Sequence, residues 1–411
     1  MPASQILDST SAIIVPSRVR LGVICDLVEE HWPSMDLVGD MLLAQLEGSS
    51  AAGIDAQRIR PPMLRRFTAA GSADFQFRFN ADRFLNRFWD YPRFLRGYRR
   101  AFDIFHLIDH SYAQLVLELP PERTIVTCHD TETFRCLLEP KAKRSALFRA
   151  MARRTLRGLR MAARVVCPSV ATYQALLAHQ LVQKEQLSVV PLGFHPSCSA
   201  EPDLSADVEA GRLLGESCAN ESYLLHVGTT GARKRIDILL AVFARVKKRF
   251  PAVRLVHVGG PLTDAQQALA EALQLKDSVL VLPYLDRRVL AAVYRRAAVV
   301  MLPSQREGFG LPVVEAMACG TPVVASDLAA LREVGGDCTV YCSAGNVPEW
   351  TNAISELLLE RRDDPMGWHA RRNRALAHAN RFTWTQYTRR MLAVYKEVLA
   401  GSGGISGEYA S

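Results

Sequence analysis

The sequence lacks the features of membrane-spanning, disulfide-rich and disordered proteins. No run approaches the roughly 18 uninterrupted apolar residues that a spanning helix needs. Residues 1–20 have no basic start followed by an apolar core, so we expect no secretion signal. The nine cysteines are scattered without a nearby histidine cluster, which favours reduced thiols in a cytoplasmic protein. With 49% hydrophobic and 22% charged residues, the composition is that of a folded soluble chain.

The chain of 411 residues is long enough for two or three domains. Short apolar runs alternate with helical segments, which is typical of parallel sheets flanked by helices. The predicted strands are Val19–Cys25, Ile104–Ile108, Thr124–Cys128, Arg164–Pro168, Ser188–Pro191, Tyr223–Val227, Arg254–Val258, Val279–Leu282, Val299–Leu302 and Val323–Ala325. We therefore predict an α/β fold with two doubly wound domains facing across a cleft, and we expect ligands beyond the carboxyl ends of the strands.

The most specific motif follows the predicted strand that ends at Leu302. It places Glu307, Gly308 and Gly310 in a loop before a helix, and Glu315 in the first turn of that helix. The unpaired N–H groups at the start of such a helix can bind a phosphate. Its candidate binding residues are Glu307, Gly308, Phe309, Gly310, Leu311 and Glu315. Taken alone, this segment is more typical of a helix-capping loop with two solvated glutamates.

The stretch Glu-Gly-Phe-Gly-Leu-Pro-x-x-Glu-Ala-x-Ala-x-Gly-x-Pro-Val resembles the E-x7-E signature of retaining GT-B glycosyltransferases of family 4. This resemblance implies transfer of a sugar from a UDP- or GDP-sugar, as substrate, to an acceptor hydroxyl with retention. It also implies that Glu307 orients the sugar and Glu315 holds the ribose, while backbone N–H groups of 309–311 hold phosphate and sugar. The fold it implies is GT-B, two Rossmann-like domains with no tightly bound cofactor.

A second cluster lies at the end of the Tyr223–Val227 strand. Gly228 and Thr229 form a glycine-rich turn, and Arg233 and Lys234 follow it as a pair of cations suited to a diphosphate. A solvated basic turn is the alternative. By the family resemblance, the two cations contact the donor's diphosphate and neutralise the leaving group. No Asp-x-Asp pair stands at a strand end, so we do not expect an obligatory metal.

Two further strand ends carry residues that the resemblance places at the site. Tyr284 and Leu285 precede a helix, and the corresponding family segment holds the nucleotide base. His129 and Asp130 follow the Thr124–Cys128 strand at the cleft mouth. The family histidine lies near the donor sugar, so His129 is a candidate catalytic residue, neutral or cationic, that stabilises developing charge.

The first strand-to-helix junction departs from the family pattern. Many relatives have a glycine-rich loop there, whereas this chain has Trp32-Pro-Ser-Met. We interpret Ser34 as a helix cap and Trp32 as a surface that stacks on a sugar or lipid chain. Together with Asp130, they are candidates for the acceptor side.

Net charge is +8, and it is concentrated in two regions. Segment 58–100 interleaves arginines with aromatics, which predicts a packed insertion facing an acceptor phosphate or a membrane. A helix over 142–163 would carry a basic stripe suited to anionic phospholipid, unless it is only a solvated face. The stripe consists of Arg149, Arg153, Arg157, Arg160 and Arg164. The predicted location is cytoplasmic, peripheral on the inner face of a membrane.

The predicted domains are 18–195 for the acceptor side, 222–381 for the donor side, and 382–400 as a helix that, by resemblance, crosses back to the first domain. Between the two domains, 196–221 is predicted to be a linker with a short surface helix. The predicted partners are a nucleotide sugar and a glycan or lipid-linked acceptor, with no nucleic acid. The remaining alternatives are a nucleic-acid-binding protein, which would use the arginine-rich segments, and another GT-B enzyme, a phosphorylase or a sugar-nucleotide epimerase.

Overall fold

The computed structural model describes residues 18–48, 53–68, 75–139, 144–219 and 222–403. These residues form two six-stranded sheets in which every neighbouring pair of strands is parallel. In chain order, strands β1 to β12 are Val19–Ile24, Ile54–Ile59, Ile104–Leu107, Thr124–Thr127, Arg164–Cys167, Leu187–Val189, Tyr223–Val227, Arg254–Val258, Val279–Leu282, Val299–Leu302, Val323–Ser326 and Thr339–Cys342. The strand order is β2-β1-β3-β4-β5-β6 in the first sheet and β12-β11-β10-β7-β8-β9 in the second. The two-domain α/β prediction is confirmed.

Two strands were not predicted, and both lie at sheet edges. β2 alternates exposed and half-buried side chains along most of its length, and β12 is only partly buried. The interior strands are buried on both faces and therefore appear as continuous apolar runs, but an edge strand is shielded by only one neighbour. The apolar runs consequently missed β2 and β12, although they include the other two edge strands, β6 and β9.

The helices α1 to α15 pack on both faces of the sheets. They are Pro33–Glu47, Phe75–Leu85, Tyr91–Arg96, Arg135–Leu138, Ala146–Met161, Val170–Ala178, Leu204–Ala219, Ile236–Arg249, Asp264–Ala272, Arg287–Arg296, Leu311–Ala318, Ala329–Gly335, Val347–Asp363, Pro365–Ala379 and Trp384–Gly403. A π-helical turn over 86–90 joins α2 to α3.

Three helices differ from the sequence prediction. The sequence predicts that α5 begins at Ala142, which lies outside the described residues. In the structure, α5 begins at Ala146, because the Ser145 side chain caps the helix by accepting a hydrogen bond from the Phe148 N–H at 3.2 Å. In the predicted linker, α7 has 16 residues and is interrupted at Gly215, where φ is +68°. In α1, the N-cap position belongs to Trp32, and no side chain caps it, so the interpretation of Ser34 as the cap is wrong.

The last helix, α15, lies against the first domain. Inside the protein, the Tyr395 hydroxyl lies 2.8 Å from Nδ1 of His106 on β3, and the other ring nitrogen of His106 contacts Thr127. On the surface, the Thr385 hydroxyl donates to Gln45 at 3.0 Å. The last helix of the described residues therefore packs against the first domain.

In the first domain, α5 approaches the turns over 110–118 very closely. A Cβ atom on Gly158 would lie 1.9 Å from the Ala113 carbonyl oxygen, so only glycine permits this contact. The close approach brings the start of α5, with Phe148 and Met151, to the edge of the interdomain space. The core thus positions one wall of the site described next.

Candidate functional site

A cleft of about 1290 Å³ lies between the carboxyl edges of the two sheets. It is there because parallel strands end together, and both sheets turn that edge toward the other domain. Every residue that the sequence predicted for the site lines this cleft, namely Trp32, Ser34, His129, Asp130, Gly228, Thr229, Arg233, Lys234, Tyr284, Leu285, Glu307, Gly308, Phe309, Gly310, Leu311 and Glu315. The fold therefore brings both groups of predicted residues to one surface.

Glu307 is the centre of a buried ion pair. Lys234 Nζ lies 2.5 Å from one carboxylate oxygen, Ser304 donates to that same oxygen at 2.7 Å, and Arg233 lies 3.4 Å from the other. The Glu307 and Lys234 side chains are only 8% and 7% exposed. Burial acts to raise the pKa of Glu307, but the two cations and the hydroxyl outweigh it and hold the pKa below its ordinary value. Glu307 is therefore an anion whose orientation is fixed.

Two glycine-rich turns pack on each other at the ends of β7 and β8. Gly228 donates its N–H to the Val258 carbonyl at 2.9 Å. Gly259 has φ of +140°, and a Cβ there would lie 2.0 Å from the Gly228 carbonyl oxygen. A side chain at Gly259 would separate the turns, so this glycine creates a backbone surface beside Lys234.

Glu315 lies deeper in the cleft wall, as the fifth residue of α11. The helix begins at Leu311, so Glu315 stands in its second turn, and the prediction of a first-turn position is wrong. It is 6% exposed and accepts a hydrogen bond from Tyr294 at 3.0 Å. Burial raises its pKa to about 7, against smaller lowering effects of Tyr294 and Arg287. Near neutral pH its charge thus depends on what it contacts.

His129 faces this site from the first domain. Its Nε2 lies 2.7 Å from the Ile108 carbonyl oxygen, so Nε2 carries the proton and Nδ1 keeps a lone pair. Burial lowers the pKa of His129, which favours the neutral ring. Of the two protonation states left open by the sequence, the structure favours the neutral one, an acceptor of hydrogen bonds.

A second histidine, His110, lies beside it and was not predicted. The two rings are 6.4 Å apart, and His110 Nδ1 is 3.2 Å from Asp109. Burial acts to lower the pKa of His110, but Asp109 and Asp130 outweigh it, so the pKa is raised. His110 is the second residue after the predicted strand Ile104–Ile108, so the strand-end position that pointed to His129 also points to His110.

The cleft wall opposite the glycine turns is made by the arginine-rich segment. Arg83 and Arg87 line it, and both pair with the buried Glu30, at 3.1 and 3.3 Å. Arg87 also stacks over the Tyr112 ring at 4.1 Å. Glu30 thus holds the two cations at the cleft, and Phe88 beside them adds an apolar surface. The predicted insertion thus contributes two arginines to the cleft; that its arginines face an acceptor phosphate or a membrane stays a prediction.

The predicted basic stripe is shorter on the structure than in the sequence. Arg164 is wrong as a member of the helix, because it lies on β5 and bonds to the Glu185 carbonyl and to Glu397. Arg160 stays on α5 but donates to the carbonyls of Gln180 and Leu181 in the loop after α6, each at 3.0 Å. Arg153 and Arg157 are exposed and Arg149 is half-buried, so three of the five predicted cations form the helical stripe.

Metal-binding geometry and membrane spans were sought across the described parts of the chain. In those parts, no three His, Cys, Asp or Glu side chains converge as metal ligands. Within the same residues, every helix is too short or too polar to cross a bilayer.

Two glycosyltransferase family models match this chain, one in each half. The family model "Glycosyl transferases group 1" matches residues 216–373, and "Glycosyltransferase Family 4" matches residues 56–197. A D-inositol 3-phosphate glycosyltransferase of Segniliparus rotundus is 36% identical over 233 residues, which are 55% of this chain and 50% of that protein. An O-antigen chain mannosyltransferase B of Escherichia coli is 27% identical over 74% of this chain and 78% of that protein. The chain thus spans about half the length of the first of these curated relatives.

Solved structures show the same fold. The sucrose-phosphate synthase of Thermosynechococcus elongatus superposes with a TM-score of 0.70 at 20% identity, over 93% of this chain and 100% of that one. The Anabaena protein HepE, in complex with UDP-glucose, superposes with a TM-score of 0.69 at 17% identity, over 92% of this chain and 100% of that one.

The raised pKa of Glu315 predicts how stability changes with pH. The unfolded carboxyl ionises near pH 4.5, whereas the folded one stays protonated until about pH 7, so the wild type loses stability as pH rises between those values. Across the whole window the loss is about 3 kcal/mol. Glu315→Gln lacks this titration, so its free energy of unfolding should rise relative to the wild type between pH 5 and pH 7.5, as measured by urea denaturation. The exposed Glu356→Gln is the control, and parallel wild-type and Glu315→Gln curves contradict the prediction.

Proposed function

Because the chain belongs to the glycosyl transferases group 1 family and has the GT-B fold, we propose that it moves a sugar from a nucleoside diphosphate sugar to an acceptor hydroxyl, with retention at the anomeric carbon. The observation that carries the proposal is the buried Glu307 with Lys234 and Arg233, beside the glycine turns and the α11 N-terminus. Cations, backbone N–H groups and an oriented carboxylate are what a sugar diphosphate requires.

The diphosphate lies, in this proposal, between Arg233, Lys234 and the start of α11. Arg233 is about one-third exposed and reaches toward the cleft, while Lys234 is held by Glu307. As the sugar–phosphate bond breaks, negative charge grows on the departing diphosphate, and these cations stabilise it without reorganising. This arrangement supports a metal-independent reaction.

The nucleoside lies farther along the second domain. Glu315 accepts hydrogen bonds from the ribose hydroxyls, and Tyr294 orients the carboxylate from behind at 3.0 Å. Tyr284 is half-exposed beside Leu285, where the base packs. HepE was solved with UDP-glucose, and its shared fold supports a nucleotide-sugar donor here.

Retention, in this proposal, follows from front-face attack rather than from a covalent enzyme intermediate. Glu307 is the carboxylate proposed to contact the sugar, but two cations and Ser304 occupy its oxygens, which makes it a poor nucleophile. The donor phosphate therefore takes the proton from the acceptor hydroxyl. Neutral His129 accepts a hydrogen bond from the reacting sugar through Nδ1 and positions it against the first domain.

The acceptor is proposed to be a lipid-linked or polysaccharide precursor. Arg83 and Arg87 supply positive charge at the cleft, and Trp32 and Phe148, 43% and 40% exposed, supply apolar surface. Much of the charge in the arginine-rich segment is paired with acids, as in Arg66 with Asp90 at 2.6 Å. Such pairing weakens the alternative of a nucleic-acid-binding protein.

The donor is the first part to test. In a thermal-shift panel of UDP- and GDP-sugars, the true donor should raise the melting temperature most, because stabilisation grows as ln(1 + [L]/Kd). ATP serves as the control for nonspecific binding of nucleotides. If no sugar nucleotide stabilises the protein more than ATP does, the proposed function fails.

Glu307→Gln tests the proposed chemistry. The substitution preserves the shape but removes the charge that holds Lys234, so we expect turnover at least ~100-fold lower, as for loss of a transition-state charge contact. Lys234→Ala should have a similar effect. Melting temperature reports whether each variant is folded, and Glu356→Gln is the charge-matched control. A near-wild-type rate in either variant removes that residue from the proposed mechanism.

Peripheral membrane binding is proposed from the exposed cations and apolar side chains of α5. Arg153 and Arg157 are exposed, and Leu147 near the start of the helix is 60% exposed. Sedimentation with vesicles should show binding to phosphatidylglycerol-containing vesicles that weakens at high salt. An Arg153→Gln/Arg157→Gln variant should bind less, and equal binding to neutral vesicles, or none to either, contradicts this proposal.

A further inference from the structure

The loop that carries Glu307 touches both domains. Glu307 itself faces Lys234 in the second domain, but its two chain neighbours bond to the first domain. Arg306 lies 3.3 Å from Glu139 and 3.4 Å from Glu132. On the other side of Glu307, Gly308 contacts residues that follow β4 and β5. The position of this carboxylate therefore depends on how the first domain is seated.

Gly308 is held by two buried hydroxyls of the first domain. Ser169 Oγ donates to the Gly308 carbonyl at 2.6 Å, and Thr172 Oγ1 lies 3.1 Å from the same oxygen. A Cβ at Gly308 would lie 1.7 Å from the His129 carbonyl oxygen, so the glycine is what lets the two domains meet here. The contact places the backbone of Glu307 next to that of His129, the two residues proposed to face the sugar.

Glu333 makes a second bridge of a different kind. It lies on α12 of the second domain, and its carboxylate accepts from the N–H groups of Val170 and Ala171 at 2.7 and 2.6 Å. These are the first two residues of α6 in the first domain. The first N–H groups of a helix have no partner within it, and the positive end of the helix dipole favours an anion there. One domain thus caps a helix of the other.

Both bridges converge on α6. Ser169 is the N-cap of this helix and accepts from the Thr172 N–H at 3.0 Å, so the residues that hold Gly308 are the same ones that begin the helix capped by Glu333. We propose that Ser169, Thr172 and Glu333 are positioning residues, which clamp the Glu307 loop against the first domain and so set the carboxylate and His129 at the spacing needed for transfer. We call Ser169, Thr172, Gly308 and Glu333 the interdomain clamp.

The clamp acts on Glu307 through the backbone of the loop. Its expected effect on turnover rests on the proposed function. The nucleotide-binding residues belong to the second domain, so loss of the clamp should leave nucleotide affinity unchanged. Turnover requires both domains, so it should fall. This separation between binding and turnover distinguishes a positioning residue from one that merely stabilises the fold.

Glu333→Ala is the first test, with Glu356→Ala as the matched control, since Glu356 is an exposed acid on a helix of the same domain. In hydrogen–deuterium exchange, Glu333→Ala should speed exchange about tenfold in residues 169–172 and also in residues 303–310, with strands β7 and β10 unchanged. Glu333→Gln keeps one acceptor oxygen and should give an intermediate result. If exchange becomes faster in residues 169–172 but not in residues 303–310, Glu333 is only a helix cap and the proposal is overturned.

The second measurement is release of UDP from UDP-glucose and of GDP from GDP-mannose. Glu333→Ala and Ser169→Ala/Thr172→Val should lower the rate about tenfold, while the Kd for UDP or GDP stays within threefold of the wild type. Wild-type rates in both variants overturn the clamp. A wild-type protein that binds neither nucleotide contradicts the proposed function instead, and the exchange at 303–310 still decides whether the clamp holds the loop.

Discussion

The site depends on the buried ion pair between Lys234 and Glu307. The two residues come from different loops, one after β7 and the other after β10, and these strands are neighbours in the sheet. The Gln305 N–H also donates to the Arg233 carbonyl at 2.7 Å, so backbone and side chains join the same two loops. Charges are costly to bury unless they are paired, and so this pair constrains both loops to one geometry.

Around this pair, the two domains supply different chemistry. The second domain contributes glycine turns, cations and a helix N-terminus, all of which favour bound anions. The first domain contributes a neutral histidine, His129, and a second histidine, His110, whose pKa is raised by Asp109 and Asp130. Because the site combines residues of both domains, the geometry of the site depends on the relative position of the domains.

Three glycines allow the close backbone contacts that position the parts of the site. Gly259 allows two turns of one domain to touch, Gly308 allows a loop of one domain to touch the other, and Gly158 allows α5 to lie on the cleft wall. In each case an added Cβ would come within 2 Å of a carbonyl oxygen. The arginines of the cleft depend instead on a charged partner. The positive charges of Arg83 and Arg87 are paired with the buried carboxylate of Glu30, which holds both side chains at the cleft.

The sequence by itself determined the order of strands and helices and which loops would meet. Buried parallel strands are continuous apolar runs whose carboxyl ends lie at one edge, and this pattern together with the family resemblance predicts that Glu307, Lys234 and His129 lie close together. Edge strands such as β2 lack that signal because they are covered on fewer sides.

Only the tertiary structure decided the protonation states of these side chains and the residues that they contact. The neutral ring of His129, the raised pKa of Glu315 and the capping of α6 by Glu333 arise from burial and from contacts between residues far apart in the chain. The same holds for Arg164, which the spacing of basic residues assigned to a helix but which pairs with Glu397 from β5. Desolvation and long-range hydrogen bonds depend on distances in space, and a sequence pattern reports only local periodicity.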